Sequence, residues 1–289
     1  MISLRSTLLS LRRIATRPLR RRAMEKLMRE GQAPIYSVFY HRVADEYPNP
    51  WTISCREFER QIDYMQSRFE LIGLDELQRR VREGNSTQPA VAITFDDGYA
   101  ENCRFALPLL MQRKIPCTYF VTTGHVISGE PFSHDIARGI PLPINSAEEL
   151  RAAADGGIEI GLHTRTHIDL ANVFDTNILN REIKDANAEL EDMIGRRVRY
   201  FAFPYGLPQQ ITQSAIDVIQ ETGLEGFCSA YGAYNFPGRN SFHIRRFHAD
   251  PDFSRLQNWL DFDSRKVRIE PYVPYHLSST KSTPQAISR

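Results

Sequence analysis

The sequence predicts an α/β fold, a (β/α) barrel of about seven or eight strands. Three observations point there. Eight short apolar runs of strand length recur along the chain. Several intervals between them carry apolar residues at helical spacing with charges interposed, so strand and helix alternate as in parallel β/α units. The third is size: 289 residues, 42% apolar and 25% charged, suffice for one sizeable core in the range of such barrels.

Residues 1–33 read as a basic N-terminal arm. Met1 to Arg22 hold seven arginines and no acid, so the rest of a chain of net charge +1 is acidic, which argues against nucleic acid as a partner. As a helix the arm is amphipathic and cationic, suited to peripheral contact with an anionic membrane; as coil it is a solvated tail. Arg5 and Arg12 flank only a short apolar run broken by Ser and Thr, which is not a convincing export signal, although the Arg/Ser-rich, acid-free character overlaps with organelle transit peptides. No run reaches transmembrane length. A cytoplasmic or membrane-peripheral location is the expectation.

The globular domain is expected over 34–270. Its strand runs are "IYSVFYH" (35–41), "FELIGL" (69–74), "AVAITF" (90–95), "CTYFVTT" (117–123), "IEIGLH" (158–163), "YFAFPY" (200–205), "GFCSA" (226–230) and "HIRRFH" (243–248). Glu57, Phe58, Ile62, Met65 and Phe69 follow helical spacing after the first run; Ile178 to Ile194, ended by Gly195, and Ile211 to Ile219 do so later. The Gly- and Pro-rich segment 124–146 is too long for a plain connection and is expected to cover a site, with the turn around Pro237 and Gly238 a smaller version. Residues 271–289, rich in Pro, Ser and Thr, read as a flexible tail. Cys55, Cys103, Cys117 and Cys228 are scattered without a C-x-x-C pair, indicating neither a disulfide framework nor a thiolate metal site.

Three strand runs end in unusual polar residues. "AVAITF" is followed by Asp96 and Asp97, "IEIGL" by His163 and His167 in "HTRTH", and "YFAF" by Pro204-Tyr205-Gly206. In β/α barrels the C-terminal strand ends converge on one face, so these groups can meet. Alone, Asp-Asp-Gly reads equally as a turn and helix N-cap, and two histidines four apart are a weak signal. Together, one carboxylate and two imidazoles suit a divalent metal such as Zn²⁺ with open positions for water and substrate. The second acid, its repulsion offset by the metal charge, is then free to act as a base.

"TFDDGY", "HTRTH" and "FPYG", in that order, resemble the first three motifs of the polysaccharide deacetylases, carbohydrate esterase family 4, which share a homology domain with the nodulation chitooligosaccharide deacetylases. The resemblance runs from Tyr40 in "YHRV" to about Asp263. "EFERQIDYM", "GIEIGLHTRTH" and "FAFPYG" are similar to the family's bacterial exopolysaccharide-processing branch. It implies a distorted, often incomplete (β/α) barrel. It implies that Asp97, His163 and His167 hold a divalent metal, with Zn²⁺ expected and Co²⁺, Ni²⁺ or Mn²⁺ alternatives. Asp96 would be the general base toward metal-activated water, and a backbone N–H near Tyr205 would help bind the oxyanion. The implied reaction is removal of N-acetyl groups from an oligo- or polysaccharide during surface-polymer synthesis or modification. O-deacetylation of a sugar and non-catalytic glycan binding are the alternatives.

The sequence departs from the family pattern in three places. No late L-x-H tripeptide supplies the histidine that would protonate the departing amine; His243 and His248 are the available candidates, each also readable as a strand or surface histidine. His41, ending the first strand run, could contact sugar or the acid pair, or be structural. Ala202 stands where many relatives carry an arginine that pairs with the catalytic aspartate, and Arg246 could reach inward to replace it or face outward. In "PFSHDI", Phe132 occupies a stretch where relatives often show tryptophans before an aspartate, which implies a changed subsite; Phe132, Tyr205 and Trp51 are candidates to stack on sugar rings or to be core.

Overall fold

The computed structural model describes residues 4–232, 234–249, 251–268 and 275–277. Eleven strands form among them: β1 (Ile35–Tyr40), β2 (Arg42–Val43), β3 (Thr52–Ile53), β4 (Glu70–Ile72), β5 (Ala90–Phe95), β6 (Cys117–Val121), β7 (Glu159–Leu162), β8 (Tyr200–Ala202), β9 (Gly226–Cys228), β10 (His243–Ile244) and β11 (Phe247–His248). Nine make one sheet in the order β10-β9-β8-β7-β6-β5-β1-β11, with β4 also paired to β5. Every ladder in it is parallel. β1, β5 and β6 are buried along their whole length, as strands covered on both faces must be, which is why they read as unbroken apolar runs.

The curvature follows from the last run. "HIRRFH" forms not one strand but two, β10 pairing with β9 at one end of the sheet and β11 with β1 at the other. Only Arg245 and Arg246 lie between them, so the two ends of the sheet are held within a two-residue span and the sheet must curl into a barrel with a seam. Asn235 fills the seam. Its backbone exchanges two hydrogen bonds with Ile35 (2.8 and 2.9 Å), its Oδ1 accepts from Arg245 N, and its Nδ2 donates to the Ile35 and Arg245 carbonyls. The turn around Pro237 and Gly238 therefore closes the seam at the start of β1, away from the strand ends it was expected to cover.

Strand alternation sorts side chains into two layers. One cluster contains Ile35, Ile72, Ala90, Ala92, Phe120, Tyr200, Ala202, Cys228 and Ile244; it lines the inside of the curl and is closed by Leu74, Leu77 and Val81 of helix Leu74–Glu83. Its many small residues fit a narrow lumen. At Gly161 an added Cβ would lie 2.4 Å from the Phe120 ring. The other cluster faces the surrounding helices, with Tyr36, Val38, Val91, Ile93, Phe95, Tyr119 and Phe201 among its members.

Outside the barrel, 124–146 is not an open loop: it contains helices Thr123–Ser128 and Ser133–Ile136, and Phe132, Asp135, Leu142 and Ile144 are buried. The predicted helix 178–194 is observed as a continuous helical stretch with a π segment at Asn180–Asp185, ending at Gly195 in the left-handed region. The basic arm is a helix, Leu4–Arg29. It docks on the body through Arg12 and Arg20 to Asp263 and Arg13 to Asp261, at 3.0–3.1 Å. No described helix is long and apolar enough to cross a membrane. The predicted tail 271–289 lies outside the described residues except for 275–277, where Tyr275 packs its ring on Phe227 and His243.

Candidate active site

The period of two that puts Ala90 and Ala92 inside the barrel continues through Thr94 to Asp96 at the strand mouth. The same parity carries Ile244 to Arg246, and the two meet. Arg246 Nη1 and Nη2 donate to the Asp96 carboxylate at 2.7 and 2.8 Å. Nη1 also donates to Thr94 Oγ1 and Nε to the Ser229 carbonyl, while the guanidinium lies over the Phe39 and Phe120 rings. A fully buried cation is costly unless its donors are engaged and its charge matched; here each of the three guanidinium nitrogens donates and the Asp96 carboxylate supplies the counter-charge. Burial alone would raise the Asp96 pKa; Arg246, then His163, outweigh it and hold the carboxyl below its usual range, ionised. Arg246 thus occupies inwardly the place for which Ala202 offers no side chain.

Continued alternation would turn Asp97 away from the lumen. Instead its backbone is left-handed, φ 78°, which swings the carboxylate toward the end of β7. Oδ1 faces His163 Nε2 at 3.4 Å and His167 Nε2 at 3.3 Å. These three residues offer ligand atoms within 4.8 Å of one another, and Asp97 Oδ1 is a buried oxygen without a hydrogen-bond partner among the described residues. An orphaned anionic oxygen beside two imidazole nitrogens fits a divalent cation, so the residues present suit the metal expected there. Burial pushes the Asp97 pKa up, but the two imidazoles carry it well below the ordinary carboxylate value.

His163 Nδ1 donates to the Ala202 carbonyl at 2.8 Å, which fixes the tautomer and aims Nε2 at Asp97. Ala202 therefore orients a ligand through its backbone. His167 is reached by a turn in which Thr164 (φ 61°) and His167 (φ 57°) are both left-handed, with His167 N bonded to Thr164 Oγ1. The exposed amides of that turn are taken by Glu182: Oε2 accepts from Arg165 N and Thr166 N at 3.0 and 2.9 Å, Oε1 from Thr166 Oγ1 at 2.8 Å. Glu182 is buried and sits in the π segment, a distortion that often marks functional positions in helices. Sequence reasoning missed it, because a glutamate in a charged helix carries no visible signal.

The remaining candidates divide. His41 shares the inward parity of Ile35 and Phe39, and its surroundings include Asp97, Asp96, His163 and Arg246; burial lowers its pKa against the pull of both acids. Its Nδ1 is buried and unpartnered among the described residues. His248, on the same parity as Arg246, lies behind it with ring centroids 5.4 Å apart, its pKa lowered to about 3 by burial and by His41. His243 has the opposite parity. It stacks on Phe227, bonds Ser229 Oγ through Nε2, and is thereby kept from the carboxylates. Phe132 is buried and packs between His125 and His134 with its edge to His167, a backing for the ligand more than a platform for sugar. Tyr205 and Trp51 are 57% and 44% exposed; the first flanks His167, the second His41 and His248. Tyr205 is left-handed, and at the following Gly206 (φ +58°) a Cβ would fall 2.6 Å from Ala230 N, so the "PYG" turn tolerates no larger residue.

A curled parallel barrel with ligand-bearing loops at its C-terminal strand ends and a carboxylate–arginine pair beside the ligand set defines a site of hydrolase type. The profile of the polysaccharide deacetylase family matches residues 83–227, and the chain belongs to that family. The poly-beta-1,6-N-acetyl-D-glucosamine N-deacetylase of Staphylococcus aureus (strain MRSA252) is 28% identical over 240 residues, spanning 79% of this chain and 78% of that protein. The structure of IcaB from Ammonifex degensii superposes with a TM-score of 0.67 at 25% identity, covering 79% of this chain and 97% of that one. A Streptococcus pyogenes deacetylase, PplD, solved in complex with acetate, shares the fold with a TM-score of 0.66 at 17% identity over 79% of this chain and 99% of its own.

Proposed function

We propose that this protein is a metal-dependent polysaccharide deacetylase that hydrolyses N-acetyl groups on a poly-N-acetylated glycan, in the synthesis or modification of a surface polysaccharide. The observation that carries the reading is the pair of adjacent carboxylates in two environments: Asp97 facing His163 and His167, and Asp96 locked to Arg246. When bound, a divalent cation at Asp97, His163 and His167, Zn²⁺ by the chemistry of the donor set, supplies Lewis acidity toward water and an acyl oxygen. Asp96, ionised and oriented by Arg246, takes the proton from the attacking water. The proton has then to reach the departing amine. His41, on the inner surface that also carries Asp96 and with its Nδ1 unpartnered among the described residues, is better placed for that than His243, which is turned to the other side and held by Ser229. His248 and Trp51 pack against it and set its orientation. Tyr205 and Trp51 border the sugar path, and a backbone N–H near Tyr205 stabilises the oxyanion. The reading includes a peripheral membrane contact through the N-terminal helix.

The test is acetate release by the purified, Zn²⁺-supplemented protein from N-acetylglucosamine oligomers and from O-acetylated xylo-oligomers. Release from the first in excess of the second is expected. Preference for the ester would make the protein an O-deacetylase, and oligomer binding without release would make it a glycan-binding descendant.

A further inference from the structure

The N-terminal helix Leu4–Arg29 presents two unlike faces. One is turned to the body: Arg20 is buried, with Nη2 bonded to Asn258 Oδ1 and Asp263 Oδ2 and Nη1 to the Asp261 carbonyl, and Ala23, Met24 and Leu27 pack against the core. Away from that contact Leu8, Leu11 and Leu19 are exposed by 58, 58 and 67%, and Ile14, at the edge of the groove against Arg68 and Asp261, by 62%. Four large aliphatic side chains left in water on one helix, where the other described helices leave at most one each (Ile127 and Ile136), is a cost that nothing in the body repays. Basic residues surround them. Arg17, Arg21 and Arg22 are exposed on the same stretch, Arg21 in a surface ion pair at 2.8 Å with Glu25, the first acid in the chain.

We infer that this outward face is a docking surface for an anionic lipid bilayer, with Leu8, Leu11, Ile14 and Leu19 entering the acyl boundary and Arg17, Arg21 and Arg22 contacting lipid phosphates. The occupant follows from charge: a surface with arginines and no acid over its first 22 residues complements a negative interface, and a helix of this apolar content lies in the interfacial plane and does not span it. The inference rests on the membrane contact included in the proposed function and names its chemistry and residues. Docking through Asp261 and Asp263 fixes the helix to the barrel, so the catalytic body is held at the membrane surface.

Co-sedimentation of the full chain with phosphatidylglycerol/phosphatidylcholine vesicles, against phosphatidylcholine alone, tests this. Binding to the anionic vesicles only is expected, falling roughly fivefold for each arginine removed in Arg17→Gln/Arg22→Gln and by at least about tenfold in Leu8→Gln/Leu11→Gln/Ile14→Gln/Leu19→Gln. These positions are exposed and Gln is a good helix former, so both variants keep the fold. Acetate release from soluble oligomers, measured on the same preparations, stays at wild-type level, which separates failure of docking from failure of the deacetylase reading. Absence of binding to anionic vesicles, or binding unchanged in both variants, overturns the inference. So does a self-association that the quadruple variant abolishes in a protein that ignores vesicles.

Discussion

At Asp96 the carboxylate faces a guanidinium and at Asp97 two imidazoles, and the difference begins with one backbone torsion. The strand's alternation delivers Asp96 to Arg246; the left-handed φ of 78° at Asp97 redirects the next side chain to His163 and His167. From these roles, Asp96→Asn is expected to lower turnover by about 10²–10⁴-fold, the range for a lost general base, while Zn²⁺ binding by isothermal titration is retained. Near-normal turnover would remove Asp96 from the proton transfer. Glu182 acts on the ligand set indirectly, through the turn amides that set His167. Glu182→Gln replaces one acceptor oxygen by a donor facing those N–H groups, and metal affinity is expected to fall about 10–100-fold with the fold intact by circular dichroism. Unchanged affinity would mean that the turn holds itself.

Among the elements, the strand runs were legible, those of β1, β5 and β6 most plainly, because parallel strands buried on both faces leave uninterrupted apolar stretches. Parity became usable only once the inner cluster was known: counting by twos from it places His41, Asp96, Arg246 and His248 on the inner surface and His243 on the outer one, a choice the sequence left open for Arg246, His243 and His248. Three things were not legible. The split of 243–248 into β10 and β11 depends on which strands lie on either side of the seam, β9 beside β10 and β1 beside β11, which no local pattern records. The helical order of 124–146 arises from long-range burial, such as Asp135 accepting from the Tyr99 hydroxyl at 2.8 Å. The docked state of the basic arm depends on Asp261 and Asp263, far along the chain. That docking gives a prediction. Burial raises the Asp263 pKa, but Arg265 and Arg20 more than offset it and leave it at about 2, below the ordinary 3.8. Because the folded value is depressed, the stabilisation is complete above pH 3.8 and is lost as pH falls toward 2. Asp263→Asn removes it at every pH and takes from Arg20, Arg12 and Arg265 the carboxylate they share, leaving Arg20 with Asp261 as its nearest acid. Limited trypsin digestion at pH 7 is expected to cut the variant sooner within residues 4–29 than the wild type; equal rates would show that the ion cluster does not hold the helix.

At the scale of the whole molecule, the candidate ligands come from two strand ends whose loops make no continuous ladder with each other. Asp97 follows β5, and His163 and His167 follow β7, with β6 between them in the sheet. An ion held by all three therefore bridges across a strand, and it binds a geometry that the unfolded chain does not have. Linkage requires that it stabilise the fold by about 2.7 kcal/mol at a free concentration of 100 times its Kd. For a domain of this size that corresponds to a Tm raised by roughly 5–10 °C. Chelation should lower Tm by the same amount, and Zn²⁺ should restore it. In His163→Ala the metal-dependent increment should vanish, because one of three donors is gone, whereas in Asp96→Asn it should persist, because Asp96 engages Arg246 and not the ligand set. Differential scanning calorimetry of the three proteins with and without metal decides the matter: an increment that survives His163→Ala, or that disappears in Asp96→Asn, would reverse the division of labour between the two carboxylates on which the catalytic reading depends.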